Sequence, residues 1–322
     1  MTAYVIRRLL LSFLLLLAAS LMAFLILKAA PGDYFDMLKA DPRIPQEYVR
    51  KERARYGLDK PVPVQYALWL WNVVRGDFGY SFAYKQPVAA VIGSRTLNTL
   101  ILNLCAVFVT WSIAIPIGVY ASVHQYSRSD KILSAISFVG MSLPSFFSAL
   151  ILLYVFASVL GVLPAGGMVS VNFETLSTSG KVLDLARHMA IPVGVLALSA
   201  MASLQRITRG NMLEVLRQEY VRTARAKGLS EGRVIYKHAL RNALNPLITI
   251  FGYEFGALLS GAALLEIIID YPGLGSLMYT AVRSQDQFLV MGGFMMGAVM
   301  LLLGNLLAEL LLAYVDPRIT YQ

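Results

Sequence analysis

The stretch NMLEVLRQEYVRTARAKGLSEGRVIYKHALRNALNP, residues 211–246, decides the fold. No Gly or Pro interrupts Asn211 to Lys227. Leu213, Leu216, Tyr220 and Ala224 recur at the spacing of one helical face. Gly228 supplies a C-terminal stop. Ser230 is a candidate N-cap for a second short helix reaching about Asn242. Asn245-Pro246 reads as the cap and first position of a further helix. The stretch is thus a helix–glycine–helix platform.

Apolar blocks flank the platform. Residues 189–204 form one, with Pro192 and many small residues, and residues 246–269 the other. Further out lie Leu9–Leu27 and residues 97–119, 132–160 and 288–315. Blocks of about 20 apolar residues are what a bilayer core demands. The composition agrees: of 322 residues, 57% are hydrophobic and only 15% charged, against about a quarter charged in a soluble domain. The expected fold is an all-α polytopic membrane protein with six transmembrane helices. Leu9–Leu27 is too long for a signal-peptide h-region and has no polar break, so it reads as the first span.

The chain divides into an N-terminal span (1–30), a polar extracytoplasmic region (31–95), a core of five spans (96–315) and a short tail (316–322). The platform loop, 206–245, lies within the core. In the polar region Gln46–Tyr56 reads as a charged surface helix. Gln65–Val74 reads as an amphipathic one, with Trp69 and Trp71 suited to a membrane interface.

Charge sets the orientation. The net charge is +9. Its positions favour basic cytoplasmic loops over a nucleic-acid surface, so membrane lipid and not nucleic acid is the expected contact. Arg7 and Arg8, Arg128 and Lys131, and nine bases from Arg206 to Arg241 fall on one side of the six spans. Both termini are therefore expected in the cytoplasm. The platform itself has two open readings on charge and periodicity alone: a basic hairpin on anionic lipid, or a docking element for a cytoplasmic partner.

A resemblance favours the second. Tyr220-Val-Arg-Thr-Ala-Arg-Ala-Lys-Gly-Leu229, followed by Lys237-His-Ala-Leu-Arg-Asn-Ala-Leu-Asn-Pro246, resembles the EAA loop of binding-protein-dependent ABC importers. In detail it resembles the B-type permease subunits of dipeptide, oligopeptide and nickel systems. The family's Glu-Ala-Ala falls on Arg222-Thr223-Ala224, so the acid and first alanine are absent. Its glycine falls on Gly228. Its first proline falls on Arg241, with Pro246 nearby. Arg7-Arg8-Leu9 through Pro31-Gly32-Asp33, Gly261 through Glu266, Tyr271-Pro-Gly-Leu-Gly275 and Asp316-Pro-Arg318 extend the resemblance over essentially the whole chain.

The resemblance implies a type I ABC importer permease in a bacterial or archaeal cytoplasmic membrane. It implies a B-type/C-type heterodimer, one or two cytoplasmic ATP-binding subunits and an extracytoplasmic solute-binding protein. Peptides lead as the solute, with nickel chelates and other small compounds behind. Arg217, Glu219, Tyr220, Arg222, Thr223, Ala224, Arg225, Lys227 and Gly228 would form the ATPase-coupling element.

Carboxylates at bilayer depth are costly and usually face a cavity or a partner. Glu254 and Glu266, on the 246–269 span, are the candidate pathway groups, Glu254 for a cationic end of the solute. Asp270 reads as interfacial, and Glu309 lies in the last span. Pro116 and Pro144 should each kink a span. Tyr271–Gly275 is a tight turn on its own chemistry and a re-entrant or scoop element by the resemblance.

Other classes fit poorly. The nearest fragment to a P-loop, Ser179-Gly180-Lys181, lacks the earlier glycine and the following hydroxyl residue, so energy must come from a partner. No catalytic elbow or zinc-protease motif is present, and no internal repeat suggests a secondary carrier. An ATP-independent channel or carrier remains the alternative class. Cys105 is the sole cysteine, and His124, His188 and His238 are scattered through separate loops. No catalytic site, cofactor or metal is expected.

Overall fold

The computed structural model describes residues 2–39, 42–247, 250, 251 and 263–315. Helix α1 (Thr2–Ala29) is followed by three short helices: α2 (Tyr34–Lys39), α3 (Gln46–Arg55) and α4 (Val62–Val74). A two-residue hairpin, β1 (Tyr80–Ser81) with β2 (Gln86–Pro87), leads into the 36-residue α5 (Val88–Val123). Then come α6 (Arg128–Ser142), α7 (Ser145–Leu152) with a π-helical continuation (Leu153–Val159), and the 39-residue α8 (Thr178–Leu216). Among the described residues four helices start directly after a proline, at Pro45, Pro61, Pro87 and Pro144. Each proline is fixed near the φ a helix entry needs.

Beyond α8 stands α9 (Glu219–Ala226), then α10 (Glu231–Arg233), a π-helical turn (Val234–Leu240) and α11 (Arg241–Ala243). The last elements are α12 (Ala263–Ile268), α13 (Leu274–Arg283) and α14 (Gln287–Val315).

Among the described residues four helices are long and apolar enough to cross a membrane, or five if α6 and α7 form one span. The predicted span at 246–269 lies largely outside the described residues. The 132–160 span is not a simple kinked helix: its halves meet at 103°. Leu143 is extended (φ −91°, ψ 128°) because the residue before proline is pushed out of the helical region. Pro116 and Pro192 sit inside α5 and α8, which continue through them. Both helices overrun their predicted blocks. Val88 begins α5 seven residues before the expected boundary at 95, and α8 carries His188 inside it rather than in a loop.

The most extensive helix pair is α5 with α8. At one end Val88, Val91 and Ile92 of α5 meet Leu274, Leu277 and Leu289 of α13 and α14. At the other, Val119 meets Met212, Ala239 and Ala243. Between them Leu102 packs with Ala149, Val195 and Leu265. The short N-terminal helices gather at the first end. Their aromatic core stacks Tyr34 on Phe82 at 5.1 Å and joins Tyr56 and Phe288. The buried Asp286 carboxylate fastens this subdomain, accepting from the Ser81 hydroxyl (2.7 Å) and the Ala83 N–H (3.0 Å).

Glu309 has a partner that its depth in the last span required. Arg8 of α1 forms an ion pair with it, and the Tyr4 hydroxyl donates to its other oxygen at 2.7 Å. One interhelical bond set therefore ties α1 to α14.

Candidate functional site

The platform is built by two segments that lean on one another. Helix α8 ends at Leu216, and Gln218 is extended (φ −71°, ψ 146°). The single helix expected over Asn211–Lys227 is therefore two, broken at Arg217–Gln218. The break turns Val221 and Ala224 inward, where they are buried with Val234 against Val215, Leu216 and Leu229. Tyr220, read as part of the apolar face, is instead exposed. Its hydroxyl accepts from Asn242 Nδ2 at 2.9 Å.

Gly228 ends α9 as expected, at φ +77°. The Leu229 N–H donates to Ala224 O (3.4 Å) and the Gly228 N–H to Arg225 O (2.9 Å). Those two bonds are a Schellman closure, completed by Leu229 packing on the cluster that holds Ala224. Ser230 is the N-cap of α10 by backbone, without a side-chain cap bond. Asn245–Leu247 are already helical, so Asn245 lies within the helix and is not the cap expected there.

Of the nine predicted coupling residues, Ala224 is a buried anchor and the other eight are exposed. Arg222 donates to Glu219 (2.7 Å), and Arg225 reaches across the glycine turn to Glu231 (2.8 Å). Arg217 and Lys227 have no carboxylate within 4.0 Å among the described residues. Beside α9 opens a cavity of about 620 Å³, lined by Tyr220, Lys237, His238, Arg241 and Asn242 among others. Sequence reading missed Val221, Val234 and Asn242. Val221 was within reach, since it shares a helical face with Ala224; Asn242 was not.

The base of the platform is clamped to the span before it. Asp130, in the first turn of α6, is nearly buried and accepts from Arg209 Nε (2.9 Å) and Nη2 (2.8 Å). The guanidinium bonds, with help from the Tyr126 N–H and the Ser134 hydroxyl, hold the carboxyl below its ordinary range.

The two candidate pathway groups part company. Glu254 lies outside the described residues. Glu266 is buried, 1% exposed. Its carboxylate accepts from the Thr99 hydroxyl (3.3 Å) and the Ser276 N–H (2.8 Å). It therefore caps the N-terminus of α13, where a negative charge is favoured. Thr99 in turn accepts from the Leu274 N–H, and Tyr271 donates to Asn98 O, both at 2.8 Å. Tyr271–Gly275 is a turn wrapped around this carboxylate. A Cβ on Gly273 would stand 2.4 Å from Glu266 Cδ.

Residues 1–103 match the N-terminal model, and residues 114–321 the main model, of the binding-protein-dependent transport system inner membrane component. The chain belongs to that family. Its similarity to the oligopeptide transport system permease protein AppB of Bacillus subtilis is 44% identity over 100% of both chains. To the dipeptide transport system permease protein DppB of Escherichia coli K12 it is 35%, again over 100% of both. A chain of the MetNI methionine ABC transporter superposes with a TM-score of 0.51 at 16% identity. The match covers 69% of this chain and 96% of that one, a likeness of fold. The multi-pass permease architecture and the family's transport role are thereby established for this chain.

Proposed function

We propose that this chain is the B-type permease subunit of an ATP-driven importer of peptides, forming half of the translocation pathway with a second permease subunit. A solute-binding protein delivers the peptide on the side of the N-terminal subdomain. One or two ATP-binding subunits dock on α9 at the cytoplasmic side, where both termini lie. The chain itself is non-catalytic.

The observation that carries the reading is α9. It is a short helix whose exposed face is charged, standing on a buried apolar base and closed by a glycine cap. Such a knob is rigid enough to transmit a push, and the adjoining basic cavity can receive an acidic side chain from the ATPase. Full-length similarity to peptide permeases supports the solute class.

Affinity purification of the tagged chain from native membranes should bring down a second permease and an ATP-binding subunit, identified by mass spectrometry. Reconstituted with the binding protein, that complex should accumulate di- or oligopeptides at the expense of ATP. A purified chain that carries solute with no ATP-binding subunit present would instead be a channel or carrier.

A further inference from the structure

Helix α4 of the N-terminal subdomain meets the spans at membrane depth. The Tyr66 and Ser20 hydroxyls share a hydrogen bond of 2.8 Å, and the Tyr66 ring lies 5.3 Å from that of Phe24. Ser20 stands inside the apolar block of α1, about 10 Å along the helix from its end at Leu27. Trp69 packs with Phe24 and with Met291 and Met295 of α14. Those methionines lie about 6 and 12 Å along α14 from Gln287. Gln287 accepts from Lys28 at the end of α1, so the two spans share a level there. Both therefore set the inner face of α4 within one leaflet of a core roughly 30 Å thick. With 13 residues, about 20 Å, α4 is too short to cross.

Its other face is apolar and bare. At about 3.6 residues per turn, Pro63, Val64, Ala67, Leu68, Trp71 and Val74 fall on one arc. All six are exposed, Trp71 by 57% and Val74 by 72%. Gln65 points elsewhere, donating its amide to the carbonyls of Leu58 and Lys60 in the subdomain. A helix in water turns its apolar side to a core. Here the core already has Tyr66 and Trp69, and a second apolar arc remains. That arc continues onto α1, where Leu21 and Leu25, beside Leu17 and Phe24, are exposed as well. Arg75 ends the arc, its guanidinium 4.4 Å from the Trp71 ring centroid. It has no carboxylate within 4.0 Å among the described residues. Such a pair suits the headgroup level, with the ring toward acyl chains and the cation toward phosphate.

The backbone at the ends of α4 is closed on itself, as hydrocarbon requires. The Val64 and Gln65 N–H groups both donate to Pro61 O, at 2.9 and 3.1 Å, and Pro63 has no N–H to satisfy. At the other end the Gly76 N–H donates to Val73 O (2.9 Å) and the Asp77 N–H to Asn72 O (3.0 Å).

We propose that α4 is an interfacial anchor, with the arc from Pro63 to Val74 lying in the acyl chains of the leaflet on the subdomain's side and Arg75 on a phospholipid phosphate. The two tryptophans that the sequence pattern offers to the interface then divide. Trp69 packs within the protein, and Trp71 meets lipid. The subdomain is held down on the bilayer by this helix rather than standing free above it.

The test uses the full-length chain with Cys105→Ser, in nanodiscs of phosphatidylcholine. Single cysteines replace the exposed residues Ala67 and Val74 on α4 and Arg50 on α3, and each carries a nitroxide. Power saturation compares collisions with oxygen, which concentrates in acyl chains, and with the neutral, water-soluble nickel ethylenediaminediacetate. Oxygen should dominate at positions 67 and 74, and the nickel chelate at position 50. Arg75→Glu should raise the chelate's share at position 74, because a carboxylate is repelled from the phosphate plane. Chelate dominance at 67 and 74 equal to that at 50 overturns the proposal. A profile at 74 that Arg75→Glu leaves unaltered overturns the headgroup contact. Exclusion of both reagents overturns the lipid assignment in favour of a second copy of the chain. In native membranes, benzoylphenylalanine in place of Ala67 should give no protein adduct on illumination. A discrete protein adduct would assign the face to a neighbouring subunit instead.

Discussion

At Gly228 one backbone angle decides where the proposed coupling knob points. A φ of +77° costs an L-residue with a β-branched side chain at least about 1–2 kcal/mol. Among the described residues nothing lies within 4 Å of a Cβ built there, so the penalty is conformational and not steric crowding. Gly228→Val should abolish solute-stimulated ATPase activity of the assembled complex while membrane insertion is retained. Gly228→Asn, which tolerates the left-handed region, should keep much of the stimulation. Stimulation in the valine variant equal to that of the original chain would refute the docking role. Gly273 is the opposite case, because crowding decides it. An alanine Cβ would fall 2.4 Å from the buried Glu266 carboxyl carbon, displacing the cap of α13. Gly273→Ala should cost about 1–3 kcal/mol, the range for overpacking. Thermal unfolding in detergent measures it.

Between elements, the tie that holds the platform is the Asp130–Arg209 pair linking α6 to α8. Side-chain exposures of 5% and 24% make it a largely desolvated pair. Removing one partner leaves the other charge uncompensated, at about 3 kcal/mol or more. Asp130→Asn should lower the unfolding temperature by a margin that calorimetry resolves. The pH dependence follows from the direction of the shift. Because the folded carboxyl titrates below its ordinary range, the pair contributes fully above that range and loses its contribution as pH falls through the lowered value. The variant and the original chain should therefore converge in stability under strong acid. A difference that persists there would place the effect in packing and not in charge.

Elements also show what the sequence could carry. The Gly228 stop was legible, because glycine after a run of helix formers has one economical use. The break at Arg217–Gln218 was not: nothing in its propensities interrupts a helix, and burial of Val221 and Ala224 against Val234 imposes it. The bend at Pro144 was legible as a bend, but packing of α7 on α8 and α12 sets its 103°. For Glu266 the cost of a buried charge announced that a partner exists. The partner's identity was hidden, since Thr99 lies 167 residues away and Ser276 offers only a backbone N–H. Arg225–Glu231 crosses the glycine turn, outside the i,i+4 spacing by which helical pairs are recognised.

On the scale of the whole molecule, α5 separates two ends that must lie in different compartments. Its 36 residues extend about 54 Å, well beyond the roughly 30 Å of a hydrocarbon core. At its Val88 end stand the aromatic subdomain and α13; at its Val119 end stand α8, α11 and the platform. Arg209, Arg217, Arg222, Arg225 and Lys227 gather at the second end, with Arg128 and Lys131 at the start of α6. Short basic loops are retained in the cytoplasm, while a long polar segment such as 31–87 crosses largely regardless of its charge. The charged helix α3 is therefore expected outside and α9 inside. Cys105 is the only thiol in the chain, so Cys105→Ser gives a clean background. Single cysteines at the exposed positions Arg50 and Lys227 then report one end each. In intact spheroplasts an impermeant maleimide should label Arg50→Cys and leave Lys227→Cys untouched until the membrane is opened. Labelling of Arg50→Cys only after opening would invert the molecule in the membrane, removing α9 from reach of any cytoplasmic ATPase.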